Sequence, residues 1–182
     1  MSPTRAELLA ASDRLLPDVI APGLDVLFCG INPGLYSAWS GHHFARPGNR
    51  FWPALHGSGF TPRLLHPSEQ DVLPSLGLGI TNVVPRASAR ADELTAAELT
   101  AGGVRLRSLV AEYRPRVLAV LGVTAFRDAF AARDAVVGRQ PSSLGATVVW
   151  VLPNPSGLNA HYQLPALIQK FAELRASLGA NG

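Results

Sequence analysis

Asn32 lies in "FCGINPGL", Phe28 to Leu35, where an apolar run enters an amide, a proline and a glycine with no strong acid, base or nucleophile among them. An asparagine cannot remove a proton at neutral pH. Its carbonyl oxygen can hold a water, and its NH2 can donate. Pro33 biases Asn32 toward extended backbone, and Gly34 lets the chain turn or approach a ligand closely. A second Asn-Pro stretch, "NPSGL", Asn154 to Leu158, sets a small turn under an apolar tip. Leu158 there is either folded back onto a core or a wedge that enters a base stack. Phe44 stands beside His42 and His43 in a segment without clear period, and reads as a core aromatic or as a platform for a flat ring. With no third ligand at a useful spacing, the two histidines read as surface residues and no metal is expected.

The elements that would position these residues are legible as short apolar runs ending in turn residues: "DVLFCGINPG", "LGLGITNVVP", "PRVLAVLG" and "TVVWVLPNPSG". Each reads as a buried strand of a parallel sheet. Helical patterns alternate with them. "NRFWPALHGSG" is short, with Asn49 as its N-cap, and "TAAELTAGGVRLRSLVAEY" opens with a Thr95/Glu98 capping box. "TAFRDAFAAR" follows the third strand, and "YQLPALIQKFAELRASL" closes the chain with Pro165 in its first turns. This alternation predicts an α/β fold, three layers α/β/α around a mainly parallel four-stranded sheet. Ligands of such sheets sit outside the carboxyl ends of the strands, so both Asn-Pro loops should open on one edge. The segments Tyr36–Pro47 and Arg86–Glu93 read as ordered functional loops.

The 182 residues, 47% hydrophobic, suffice for one domain with a sizeable core, with residues 1–21 as an N-terminal helical extension. No apolar run approaches the roughly 20 residues of a membrane span, and the charged N-terminus lacks a signal peptide's apolar centre, so an intracellular protein is expected. The one cysteine, Cys29, excludes an internal disulfide and a four-thiolate metal site, and reads as a small buried thiol. A net charge of +3 and a pI near 9.6 permit a polyanionic partner without demanding one. The basic residues are almost all arginine, whose planar fork suits phosphate; Lys170 alone is available for Schiff-base chemistry. Neither a P-loop nor an Asp cluster for a divalent metal is present, which weighs against a nucleotide hydrolase.

Taken in order, "GINPGL", "FARPGNRFW", "GITNVVPR" and "VLPNPSGL" resemble the mismatch-specific uracil/thymine DNA glycosylase family of the uracil-DNA glycosylase superfamily, from about Pro22 to the C-terminal helix. The resemblance implies hydrolysis of the N-glycosidic bond of uracil or thymine opposite guanine, leaving an abasic site, with no cofactor. The implied partner is double-stranded DNA with G·U or G·T mismatches, bound by a monomer in the cytoplasm at the nucleoid. Asn32 matches the water-positioning asparagine, Phe44 the aromatic that stacks on the flipped base, Leu158 the wedge, and Ser37 a residue crowding the pyrimidine C5. By the same similarity, backbone groups of Ile31 and Phe44 read the uracil edge, and those of Gly157 and Asn159 the widowed guanine. Asn154 replaces the histidine of the main uracil-DNA glycosylase branch, and Asn82 stands at the pocket rim. Ala160 departs from an arginine found in the family, and Tyr36 and Trp39 add bulk to the pocket loop. Asp92 is nominated as a base: Thr95 already caps the following helix, and the loop holding Asp92 follows the "GITNVVPR" strand toward the edge of Asn32. A lesion-binding protein without catalysis, or a nucleoside hydrolase on a related sheet, are the alternatives.

Overall fold

The computed structural model describes residues 1–180. Its sheet has the strands β1 (Val26–Gly30), β2 (Leu78–Asn82), β3 (Val117–Leu121), β4 (Gly138–Arg139) and β5 (Val148–Leu152), in the order β2-β1-β3-β5-β4. The four expected strands are parallel, and β4 is a fifth, antiparallel to β5. Two residues in "VVGRQP" carry no period, so β4 has no signature in sequence.

All of β1 is buried, yet its pleat divides it between two cores. Val26 and Phe28 face one, built with α3 (Phe51–Gly57) and α6 (Leu164–Ala180); Phe28 meets Phe51 edge-on at 5.5 Å and stacks on Phe171 at 5.7 Å. Leu27 and Cys29 face the other, under α4 (Ala96–Tyr113) and α5 (Val123–Phe130). Burial pushes the Cys29 thiol far up, so it is an inert apolar filler. Thr95 caps α4 with the reciprocal bonds of the expected box, and Pro165 lies in the first turn of α6. β1 has β2 on one side and β3 on the other, so the order in which strands are added reverses beside it, and a crevice opens at the carboxyl end of β1.

Three local expectations change. The helical part of residues 1–21 is confined to α1 (Arg5–Leu9); after Asp13, at φ 64°, the chain runs extended beside β2, where Val19 and Ile80 exchange N–H···O bonds of 2.9 and 2.8 Å. Pro17 and Pro22 suit that path and oppose a helix. The segment Tyr36–Pro47 is not all loop, because α2 (Leu35–Ser40) occupies its first half, stopped by Gly41 in the left-handed region. Asn49 does not sit at the N-cap: α3 starts one residue later, after Arg50, although the Asn49 Oδ1 accepts from the Phe51 N–H at 2.9 Å.

Candidate active site

A cleft of about 180 Å³ opens at the carboxyl end of β1, smaller than the roughly 300–1,000 Å³ of drug-sized sites and suited to a single flat ring. Ile31, Asn32, Ser37, Phe44, Asn82 and Asn154 all line it. The two Asn-Pro loops therefore meet on one edge, as the strand order requires. A wider hollow of about 520 Å³ adjoins it, between the β3–α5 turn and the second loop, and includes Leu158 and Asn159.

The loop after β1 is clamped along the one after β2. Val83 N–H donates to Gly30, Val84 N–H to Ile31 and Ser88 N–H to Pro33 carbonyls, at 2.9, 3.0 and 3.2 Å. Asn32 is oriented by the same seam: its Nδ2 donates to the Arg86 carbonyl at 3.1 Å and to Ser88 Oγ at 2.8 Å, and Ser88 Oγ donates onward to the Arg90 carbonyl at 2.7 Å. Both amide hydrogens are engaged, which fixes the flip of the side chain and leaves Oδ1 without a protein donor among the described residues. Arg86 is itself held by Glu98, at 3.0 Å through Nη2, and by Asp13 at 3.2 Å.

Phe44 adopts φ 52°, a left-handed conformation rare for an aromatic residue, in a loop tied down by the Ala45 N–H to Ser37 Oγ bond of 3.1 Å. Its ring lies on Phe51 with centroids 4.2 Å apart. Its N–H has no acceptor among the described residues. Ser37 is buried and engaged as that loop's anchor.

His43 is not a surface residue but 2% exposed. Its Nε2 lies 2.8 Å from the Pro17 carbonyl and must donate, so its Nδ1 accepts from Asn82 Nδ2 at 3.4 Å. Burial holds its pKa below the ordinary value, in keeping with that neutral tautomer. Asn82 is nearly buried at the cleft floor, and Arg105 donates to its carbonyl.

In the second loop, Asn154 Oδ1 accepts from the Ser156 N–H at 2.9 Å, and Asn159 Nδ2 donates to the Asn154 carbonyl at 3.0 Å. Leu158 is 79% exposed, so it is not folded back onto the core. Gly157 approaches the segment between α2 and α3 so closely that a Cβ there would sit 2.6 Å from the Gly48 carbonyl oxygen.

Asp92 is not brought to the cleft. It lies in a 3₁₀ turn, Ala91–Glu93, with its side chain 71% exposed and 3.0 Å from Arg90 Nε, while Arg90 and Ala91 reach the rim. Sequence reasoning also missed Ser88, His43 and Arg50, whose partners lie tens of residues away. "GNRFW" was the one visible hint of Arg50. Among the described residues no group of three or more His, Cys, Asp or Glu could hold a metal, and no helix is long and apolar enough to cross a membrane.

The chain is similar in fold to the solution NMR structure of a proposed uracil DNA glycosylase from Methanosarcina acetivorans, with a TM-score of 0.59 at 18% identity over 90% of this chain and 98% of that one. The family model described as the uracil DNA glycosylase superfamily matches residues 17–178, which takes in both Asn-Pro loops and every strand. By that match the chain belongs to the uracil DNA glycosylase superfamily, hydrolases of DNA repair that act on the N-glycosyl bond of uracil.

Proposed function

We propose that this protein excises uracil, and thymine in the same pairing, from G·U and G·T mismatches in double-stranded DNA, by a monofunctional mechanism that leaves an abasic site. The observation that carries the reading is the amide of Asn32: both its hydrogens are engaged by Arg86 and Ser88, and its oxygen is free at the cleft.

A base within a duplex is out of reach, so the nucleotide is extruded at a cost of a few kcal/mol, least for a mismatch. Leu158 fills the vacated stack from its exposed loop. The extruded ring enters the cleft against Phe44, backed by Phe51, and Asn82 meets its polar edge from the floor. Cleavage makes the sugar oxocarbenium-like and sends the pyrimidine off as an anion. Fixed donors such as the Phe44 N–H and the Asn82 amide suit that charge, because they need no reorganisation as it develops. Water adds late. It needs placement more than deprotonation, and Asn32 Oδ1 supplies placement. Ser37, beside the ring's C5 position, sets how much bulk a 5-methyl group meets. In this reading the backbone at Gly157 and Asn159 meets the opposing guanine, chiefly through the Gly157 N–H, since the Asn159 N–H donates to the Ser156 carbonyl and both carbonyls already accept from Arg50. Lys170, the one lysine, lies on α6 paired to Glu173 and outside the cleft lining, so it offers no amine for a covalent route.

The test is release of free base from G·U, G·T, A·U and single-stranded uracil substrates side by side, with the abasic product revealed by alkaline strand scission. Release fastest from G·U supports the reading. Tight binding to G·U duplex with no abasic product would identify a lesion-binding protein instead.

A further inference from the structure

Arg50 has no carboxylate partner among the described residues, yet its guanidinium makes more long-range hydrogen bonds than any other side chain near the cleft. Nη1 lies 3.3, 2.9 and 3.1 Å from the carbonyl oxygens of Ser156, Asn159 and Tyr162, and Nη2 lies 3.1 Å from that of Gly157 and 3.0 Å from Gln163 Oε1. Its own N–H donates to the Pro155 carbonyl at 2.8 Å. Six acceptors spread over residues 155–163 thus converge on one residue of the opposite loop.

We infer that Arg50 is the positioning residue for the wedge: it fixes the height and orientation of the loop that presents Leu158, and acts on catalysis only through that loop. The inference rests on the glycosylase reading above. Leu158 extends into solvent and has no packing of its own to hold it, so the loop's rigidity must come from beneath. Local bonds supply some of it, from Leu158 N–H to Ser156 Oγ and from His161 N–H to Asn159 Oδ1, but these tie the loop to itself rather than to the domain. The ties to the body are the Arg50 fan and the close approach of Gly157 to Gly48. Because the carbonyls of Ser156, Gly157, Asn159 and Tyr162 turn inward to a cation, their negative ends point away from the incoming polyanion. The loop therefore offers DNA an apolar tip on an electropositive base. The same bonds decide how much of the Gly157 and Asn159 carbonyls is left to meet a base opposite the lesion, since each oxygen retains only one further lone pair. A lysine could not replace this arrangement. It has three donors on a point charge for five side-chain-directed acceptors and lacks the planar fork.

The experiment uses the full chain in four forms: wild type, Arg50→Lys, Leu158→Ala and the double variant. Extrusion is followed by the fluorescence of 2-aminopurine placed beside the target in G·U and A·U duplexes, and excision by single-turnover release of base. Arg50→Lys should slow both by roughly 10- to 100-fold, the scale of a misplaced contact. The double variant should be no slower than the worse single variant, because both substitutions disable one device. Gly157→Ala, which lifts the same loop off Gly48 while leaving Arg50 intact, should reproduce the loss of 2-aminopurine signal. Losses that multiply in the double variant, or an Arg50→Lys enzyme with wild-type extrusion, would overturn the inference. A wild-type protein that releases no base from any duplex would instead remove the functional reading on which it rests.

Discussion

Gly30, the last residue of β1, is where a single methyl group should separate the cleft's chemistry from the protein's stability. A Cβ on that backbone would lie 2.6 Å from Asn82 Oδ1 and 3.2 and 3.4 Å from two Phe44 ring carbons. The Gly30 φ is not in the left-handed region, so alanine brings no backbone strain and the effect is steric. Asn82 Oδ1 must retreat by about 0.8 Å, from 2.6 Å to the 3.4 Å at which ordinary contact begins. It has little freedom to do so, with Nδ2 on His43 and its carbonyl under Arg105. Overpacking of this kind costs about 1–3 kcal/mol, which for a domain of this size lowers Tm by roughly 2–12 °C. A displacement of that order at a group meeting the reacting base should slow single-turnover excision by about 10²-fold. Affinity for duplex should persist, because the Arg50 fan and the loop bearing Leu158 are untouched. The assay pairs thermal unfolding with base release at saturating enzyme. A Gly30→Ala protein that loses Tm but keeps its excision rate would show that neither Asn82 nor Phe44 meets the base.

Other outcomes follow from the same geometry. Asn32→Ala should lower excision by at least about 10²-fold while retaining duplex affinity, measured by single-turnover release and by gel shift; near-normal release would leave the water without its assigned holder. Asp92→Ala should excise within about threefold of wild type, since its carboxylate is exposed beside Arg90 and outside the cleft lining, and an exposed pair of this kind holds little of the structure. A strong loss, together with disappearance of an acid limb in the pH–rate profile, would restore Asp92 as a base. Stability should fall on acidification: the Glu98 carboxyl is held down to about 2, first by its hydrogen bond from Arg86 and then by the Thr95 N–H, and Glu69 is held down to about 2 by Arg63. Both stabilise the fold fully above the ordinary carboxylate value of 4.5 and lose that contribution as pH falls toward 2. Glu98→Gln should therefore flatten part of the Tm-versus-pH slope in that window. An unchanged slope would mean that the Arg86–Glu98 pair is equally formed in the unfolded chain.

The four parallel strands were legible because each is an apolar run closed by a turn, and once their order is fixed the two Asn-Pro loops must share an edge. Asn32 was legible for the same reason, as a residue just past the carboxyl end of β1. What holds Asn32 was not. Ser88 and the Arg86 carbonyl lie 56 and 54 residues further along, and backbone carbonyls leave no trace in side-chain pattern. Arg50 escaped likewise, since its acceptors beyond position 155 are almost all carbonyl oxygens. Asp92 was singled out by elimination from capping, an argument about the neighbouring helix that says nothing about where the carboxylate turns. His43 was misread because burial of a polar ring depends on a partner, the Pro17 carbonyl, in a segment read as a helical extension.

That same segment does something for the sheet as a whole. β2 is its outer parallel strand, and Val19, pairing with Ile80 through both backbone groups, covers it much as β4 covers the outer side of β5. Unpaired, Leu78–Asn82 would be an apolar, flat template inviting another chain to add a strand, which is how soluble proteins begin to aggregate. Residues 14–21 thus act as a guard along that edge. A shortened protein beginning at Pro22 would keep both Asn-Pro loops, but its unguarded border would favour self-association, visible as light scattering that rises with concentration.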